Sequence, residues 1–99
     1  MAKEKKLQKT IRDYLKSKGC YVLVTTPGAG IPIGCPDIIG LLPNGKWVAL
    51  EVKASASSPR RPLQEETVDM LSKMGYSIFV YPESWLSIRS QLDALIAQP

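Results

Sequence analysis

The 99-residue chain predicts an α/β fold in which a mixed central sheet is flanked by helices, in the order αβββαβα. Apolar residues recur at helical spacing in the first and last segments. Two short apolar runs in the middle are joined by Pro-Asn-Gly, which is typical of a β-hairpin. A further apolar run lies between two helix-like segments. The length fits one domain, residues 1–99, with a core of modest size.

The first element is a helix from about Lys3 to Lys18, which ends at Gly19. A strand from Cys20 to Thr25 follows it. Glu4 extends the apolar stripe of this helix and not its solvated face, which favours contact with a cation. The alternative is an ordinary first-turn glutamate stabilised by the helix dipole. The stripe itself consists of Leu7, Ile11, Tyr14 and Leu15.

The two central strands are Ile38 to Leu42 and Lys46 to Leu50, joined by Pro43-Asn44-Gly45. Proline suits the first central position of a type I turn, and glycine suits the left-handed residue after it. These residues together predict a three-residue hairpin loop with a bulge. Such a loop pairs Leu42 with Lys46.

Continued along the ladder, this register places Asp37 opposite Glu51, with their Cβ atoms about 4.5 to 5.5 Å apart. A two-residue loop would instead place Asp37 opposite Val52 and turn the carboxylates to different faces. The turn residues favour the first register. Lys53 lies two residues after Glu51 and shares its face of the strand.

In the second half, Pro62 predicts the first turn of a helix that ends at Gly75, followed by a strand from Tyr76 to Tyr81. Ser84 is predicted to cap a final helix. The inward face of the middle helix is predicted to carry Leu63, Thr67, Met70, Leu71 and Met74. The buried face of the final helix is predicted to carry Trp85, Ile88, Leu92, Leu95 and Ile96.

Two opposed carboxylates repel each other unless a counter-charge lies between them. A hard divalent cation such as Mg²⁺ removes this repulsion, takes oxygen ligands and leaves positions for water and phosphate oxygens. A lysine beside it can balance phosphate charge and orient an attacking water. The alternative is an exposed strand end with an unremarkable Glu-Lys pair. The upstream Pro36-Asp37 and the register favour the cation site.

Pro36-Asp37 followed by Glu51-Val52-Lys53 resembles the PD-(D/E)xK nuclease signature. The rest of the chain is similar to the VRR-NUC branch of that superfamily, small nuclease domains found in phages and as the catalytic part of larger repair enzymes. The resemblance runs along nearly the whole chain. Four further features match that branch: the opening helix from Glu4 to Ile11, the segment Gly34-Cys35-Pro36-Asp37 that leads to the aspartate, the triplet Pro62-Leu63-Gln64, and Gly75-Tyr76 at the start of a late strand.

The resemblance implies a restriction-endonuclease-like fold and a Mg²⁺- or Mn²⁺-dependent endodeoxyribonuclease that leaves 5′-phosphate ends. Asp37, Glu51 and the Val52 carbonyl would bind the metal, and Lys53 would position the water. Glu4 would bind a second metal or a metal-bound water. Gln64 becomes a site candidate only through the resemblance, since an exposed helical glutamine is otherwise the simpler interpretation. Stand-alone members of this kind imply a homodimer acting on branched DNA, Holliday junctions above all.

The formal charge of +4 is unevenly distributed, because seven of the 13 basic residues fall within the first 18 positions. A basic first helix attracts a phosphate backbone without reading its sequence, although a merely solvated helix face has the same composition. Arg60 and Arg61 add a second basic point after Lys53. The residues predicted to contact DNA are Lys5, Lys6, Lys9, Arg60 and Arg61.

The composition is ordinary for a globular protein, with 44% hydrophobic and 22% charged residues. The apolar runs are too short to span a membrane, and the charged N-terminus lacks a signal peptide, so we expect no membrane association and a location in the host-cell cytosol. Cys20 and Cys35 lack zinc-ligand spacing and are expected to be thiols.

Two other functions fit the same residues. One is a nicking, flap or restriction-type nuclease with the same chemistry and a different DNA target. The other is a DNA-binding domain that keeps the fold without cleaving. The intact set of Asp37, Glu51 and Lys53 argues against the second, because a binding module has no need of opposed carboxylates facing phosphate.

Overall fold

A computed structural model describes residues 2–26, 28 and 30–99. The elements follow the predicted order αβββαβα, with a short 3₁₀ turn before the last helix. No helix among these residues has the length and apolar character needed to cross a bilayer. The helices are α1 (Ala2–Ser17), α2 (Gln64–Ser72) and α3 (Trp85–Ile96), and the strands are β1 (Tyr21–Val24), β2 (Ile38–Leu41), β3 (Trp47–Val52) and β4 (Tyr76–Val80).

The four strands form one mixed sheet in the order β1-β2-β3-β4. The β1–β2 and β2–β3 pairs are antiparallel, whereas β3 and β4 run parallel and are connected through α2. In the central hairpin, the Leu42 N–H donates to the Lys46 carbonyl at 2.8 Å. Gly45 has a φ of 88° and donates its N–H to the Leu42 carbonyl. The three-residue loop and its register are therefore confirmed.

The main core lies on one face of the sheet, where α1 and α3 pack. Leu15 of α1, Leu50 of β3 and Leu92 of α3 are fully buried in this layer. The Tyr14 and Trp85 rings form a T-shaped pair with a centroid distance of 5.5 Å, so the two helices also contact each other. Alternation along β3 places Val48, Leu50 and Val52 in this layer and directs Glu51 and Lys53 to the opposite face.

The prediction for the middle helix is wrong in its start and in its inward face. The helix begins at Gln64, because Leu63 adopts a left-handed conformation with a φ of 68° that separates Pro62 from the helix. Gln64 and Val68 are the buried positions. Because α2 packs mainly against β4, its narrow buried stripe excludes several apolar residues: Leu63, Met70 and Met74 are exposed, and Thr67 and Leu71 are only half-buried.

The prediction for the final helix is confirmed in its position. Ser84 occupies the N-cap position, and Trp85, Ile88 and Leu92 are buried. Leu95 and Ile96 pack at the margin of the core. The Ser84 hydroxyl differs from the expectation, since it accepts a hydrogen bond from the Tyr81 N–H and not from the helix.

Candidate active site

The structure brings Asp37 and Glu51 together at the end of the central hairpin. The observed pairs run from Leu41–Trp47 to Ile38–Leu50, and one further step opposes Asp37 and Glu51. Since Leu42 and Lys46 form a hydrogen-bonded pair, the alternation of an antiparallel ladder makes the Asp37–Glu51 pair a non-hydrogen-bonded one. Side chains approach most closely in such pairs. The predicted convergence of the two carboxyls is therefore present.

Glu51 is almost completely buried, with 2% of its surface exposed. Burial, and after it the neighbouring Asp37 carboxyl, raise the pKa of the Glu51 carboxyl to about 9 against the opposing charge of Lys53. Glu51 Oε1 has no hydrogen-bond partner among the described residues. Buried carboxylates require a donor or a cation, so this oxygen fits a metal ligand.

The Val52 carbonyl is available as a third metal ligand because Pro36, the residue opposite it, has no N–H to occupy it. The Val52 N–H donates to Asp37 Oδ2 at 3.0 Å, so this edge of Val52 faces β2. In an extended strand the N–H and C=O of one residue point to the same side, and the carbonyl therefore also faces β2. The continued register opposes Val52 to Pro36, which has no N–H to donate. Proline thus leaves the carbonyl without a ladder partner.

Thr25 holds the Pro36-Asp37 segment in place. Its N–H donates to the Asp37 carbonyl at 2.9 Å, and its hydroxyl donates to the Pro36 carbonyl at 2.6 Å. These bonds extend the β1–β2 ladder one pair beyond Val24. No sequence motif indicates a role for Thr25, and its only signal is its position at the end of a strand.

Lys53 is buried on the same face as Glu51, with 6% of its surface exposed. Its Nζ donates to Gln64 Oε1 at 2.8 Å and to the Pro59 carbonyl at 3.2 Å. An ammonium group has three donors, so one N–H has no partner among the described residues. Two fixed acceptors therefore orient the amine while leaving one donor for a ligand.

Gln64 is a buried residue, contrary to the simpler interpretation of an exposed helical glutamine. Its Oε1 accepts hydrogen bonds from Lys53 Nζ and, at 2.7 Å, from the Arg61 N–H. The second bond ties the first turn of α2 to the segment after Lys53. Gln64 is thus positioned to hold Lys53, a contact that no short sequence window reveals.

Glu4 lies on the first turn of α1 and is half-buried. Its charge is close enough to contribute to the raised pKa of Glu51, although it is the weakest of the identified influences. Within the described residues, no three His, Cys, Asp or Glu side chains are grouped so as to hold a metal ion. The donor set that fits a cation is therefore two carboxylates and a backbone carbonyl, and a ligand role for Glu4 stays a prediction.

A solved structure described as a VRR_NUC domain is similar to this chain over almost its full length. The two are 28% identical with a TM-score of 0.68, and the match covers 95% of this chain and 94% of that chain. This similarity in sequence and fold supports the predicted VRR-NUC family. No family model and no curated protein matches the sequence. The mixed sheet with its flanking helices agrees with the restriction-endonuclease-like fold.

A cleft of 410 Å³ opens beside the paired carboxyls. Asp37, Gln64 and Arg61 line it together with Cys35 and the loop that precedes it. Burial raises the pKa of the Cys35 thiol, and both Cys20 and Cys35 are free. Arg61 is exposed at the cleft, where a guanidinium can contact phosphate.

The other residues predicted to contact DNA lie outside the cleft. Lys5, Lys6 and Lys9 are exposed on α1, and Lys9 forms an ion pair with Asp13 at 2.7 Å. The guanidinium of Arg60 stacks on Phe79 at 3.9 Å and donates to the Tyr81 hydroxyl. Arg60 therefore has intramolecular partners, whereas Arg61 is directed to the site.

Proposed function

We propose that this chain is a VRR-NUC nuclease domain, a metal-dependent endodeoxyribonuclease that hydrolyses phosphodiester bonds. The observation that carries the proposal is the convergence of Asp37 and Glu51, opposed across the hairpin, with Lys53 on the same face. A binding domain would gain nothing from a buried carboxyl whose Oε1 lacks a donor.

Asp37, Glu51 Oε1 and the Val52 carbonyl are the groups that would hold Mg²⁺ or Mn²⁺. The bound ion would supply Lewis-acid activation of a phosphate oxygen and lower the pKa of a coordinated water. The protein fixes these ligands through backbone geometry, because the hairpin ladder sets the carboxyls opposite each other. Val52 N–H holds one oxygen of Asp37 in place.

Lys53 provides the cationic donor of the site. Because Gln64 and Pro59 occupy two of its N–H groups, the third has a defined direction and can donate to an attacking water or to a phosphate oxygen. Arg61 lies at the rim of the same cleft and would hold the DNA backbone. Positioning and charge stabilisation are the main contributions expected in phosphoryl transfer.

We further propose that branched DNA, Holliday junctions above all, is the preferred substrate and that the active form is a homodimer. One subunit of this size has one cleavage site, and a two-fold pair can cut opposed strands. The charge of +4 and the exposed lysines of α1 support attraction of the phosphate backbone.

The proposal is tested with labelled four-way junction, flap and linear duplex, each incubated with Mg²⁺, Mn²⁺ or EDTA. Cleavage with either metal and none with EDTA is the expected result, with the junction cut fastest. Asp37→Asn should bind the junction and leave it intact. Metal-independent binding without product on any DNA would identify a non-catalytic domain. Faster cutting of flap or duplex would show that one of these, and not the junction, is the preferred substrate.

Gln64 is predicted to act as a positioning residue for Lys53. We expect Gln64→Leu to lower kcat about 10- to 100-fold with little change in DNA affinity, since the amine loses one of two fixed acceptors. Gln64→Glu keeps an oxygen acceptor for Lys53 and should restore most of the rate. The matched control is Gln91→Leu, an exposed position on α3.

The split between kcat and KM separates this role from a loss of stability. Gln64→Leu should lower kcat at unchanged KM and melting temperature, and Gln64→Glu should recover kcat. An unchanged kcat with a lowered melting temperature would mean that Gln64 is only a structural contact.

A further inference from the structure

We infer that Ile33, together with Ile31 and Leu63, forms an apolar wedge that packs against a base at an unstacked step of the bound DNA and so directs cleavage to that step. We call these three residues the apolar rim. The inference rests on the proposed function, since it concerns the substrate of the same cleft. It assigns the selection of distorted DNA to side chains that take no part in the chemistry.

Ile33 stands at the tip of a tight turn. The Cys35 N–H donates to the Pro32 carbonyl at 3.2 Å, and Gly34 has a φ of 86°. A positive φ at the third residue is the mark of a type II turn, with Ile33 as its second residue. The turn also packs closely against the residue that precedes α2, since a Cβ on Gly34 would lie only 2.7 Å from the Leu63 carbonyl oxygen. Ile33 is therefore presented by a braced backbone.

The apolar rim is exposed at the place where the DNA would lie. Ile33 is 74% exposed, and Ile31 and Leu63 are 37% and 46% exposed. Ile31 and Ile33 line the same cleft as Asp37 and Arg61. Leu63 adopts a backbone conformation that L-residues rarely accept, and it carries an exposed aliphatic side chain there. Two exposed isoleucines in the cleft, with exposed Leu63 between its lining residues Pro62 and Gln64, indicate an apolar contact surface.

The aliphatic side chains of the apolar rim suit contact with DNA bases and not with phosphates. Aliphatic groups offer no hydrogen bond to phosphate, and Arg61 and the carboxyls already supply the polar side of the cleft. The faces of bases are apolar but are covered by their neighbours in a stacked duplex. Proteins that insert Ile, Leu or Pro into DNA do so at steps that unstack. At a branch point, a nick or a flap a base has already lost part of its stacking, so the protein can unstack it at lower cost.

The test compares Ile33→Ser with Leu86→Ser in the full chain. Leu86 is a matched control, because it is 65% exposed on α3 on the opposite side of the sheet. The first readout is the fluorescence of 2-aminopurine placed at the branch point of a four-way junction, recorded in EDTA so that binding is measured without cleavage. The second is the ratio of junction to duplex cleavage rates in Mg²⁺.

Wild type and Leu86→Ser should raise the fluorescence on binding, and Ile33→Ser should not. The junction-to-duplex ratio should fall about tenfold in Ile33→Ser only, which corresponds to a contact of about 1.4 kcal/mol. An unchanged ratio and fluorescence in Ile33→Ser would overturn the inference. So would a change from dimer to monomer in sedimentation, because the rim would then be covered by a second copy of the chain.

Failure of the proposed function has a different signature. A wild-type protein that raises the fluorescence in EDTA but cuts no DNA in Mg²⁺ or Mn²⁺ would refute nuclease activity and still support the apolar rim. A wild-type protein that cuts junction and duplex at equal rates would refute the rim and leave the chemistry intact.

Discussion

Replacing Lys53 by methionine is expected to reduce DNA cleavage by about 10²- to 10³-fold while junction binding persists, because the site loses its donor to the developing phosphate charge. Methionine has nearly the same length and fills the buried position without a charge. The Arg61 N–H still donates to Gln64 Oε1 in the variant, so the glutamine keeps a partner. Single-turnover cleavage of a labelled junction measures the rate, and gel-shift titration in EDTA measures the affinity.

Lys46→Met is the matched control for this substitution. Lys46 follows the hairpin loop at the other end of β3 and is exposed. Its replacement removes the same charge from the protein without touching the site. Cleavage by Lys53→Met at the wild-type rate would show that the amine does not act on the reacting phosphate. Equal losses in both variants would trace the effect to net charge and weaker attraction of DNA.

The strand register that brings the site residues together was predictable because residues of the hairpin loop determine it. Pro43 and Gly45 define the loop within three residues, and the period of two along each strand then places Asp37 and Glu51 on one face. The order of elements followed for a similar reason, since helical and strand periodicities are each visible within a single segment.

The middle helix was mispredicted because its buried face depends on distant residues. The apolar pattern of α2 favoured Leu63, Met70 and Met74, yet the helix covers mainly β4 and buries a narrow stripe. The buried position of Gln64 is set by Lys53, eleven residues earlier in the chain. A buried ammonium requires acceptors, and this tertiary demand overrides the apolar pattern.

The hydrogen-bond partners of the site were likewise beyond the sequence pattern. The motif placed Lys53 beside the carboxyls but gave no indication that Gln64 and Pro59 hold the amine. Arg60 and Arg61 are adjacent in sequence and equal in charge. Only the fold separates them, since Arg60 packs on Phe79 and Arg61 reaches the cleft.

Replacing Glu51 by glutamine is expected to stabilise the metal-free protein at pH 8 and to abolish metal binding. The unfolded chain ionises this carboxyl near pH 4.5, whereas burial and the Asp37 carboxyl keep it protonated in the folded chain up to about pH 9. Between these values the folded state holds more protons, so the free energy of unfolding falls as pH rises, by about 1.4 kcal/mol per unit.

Glutamine keeps the shape of Glu51 and cannot ionise, and its amide can donate to Asp37. The variant should therefore exceed the wild type in stability by a few kcal/mol at pH 8 and match it about one pH unit below 4.5, where both states of the wild type are protonated. Urea unfolding in EDTA from about pH 3.5 to 9 gives the difference. Glu66→Gln, an exposed carboxyl of α2, should leave the pH dependence unchanged.

In the wild type only, metal binding should offset the loss of stability that buried Glu51 causes at high pH. A cation must displace the proton from Glu51, so calorimetric titration with Mn²⁺ at pH 7 in two buffers of different ionisation enthalpy should show proton release approaching one per site. Affinity should rise with pH for the same reason. Parallel stability profiles for wild type and Glu51→Gln would show that the carboxyl is already ionised when buried, and Mn²⁺ binding without proton release would agree. The Asp37–Glu51 pair would then owe its geometry to a protein donor and not to a cation.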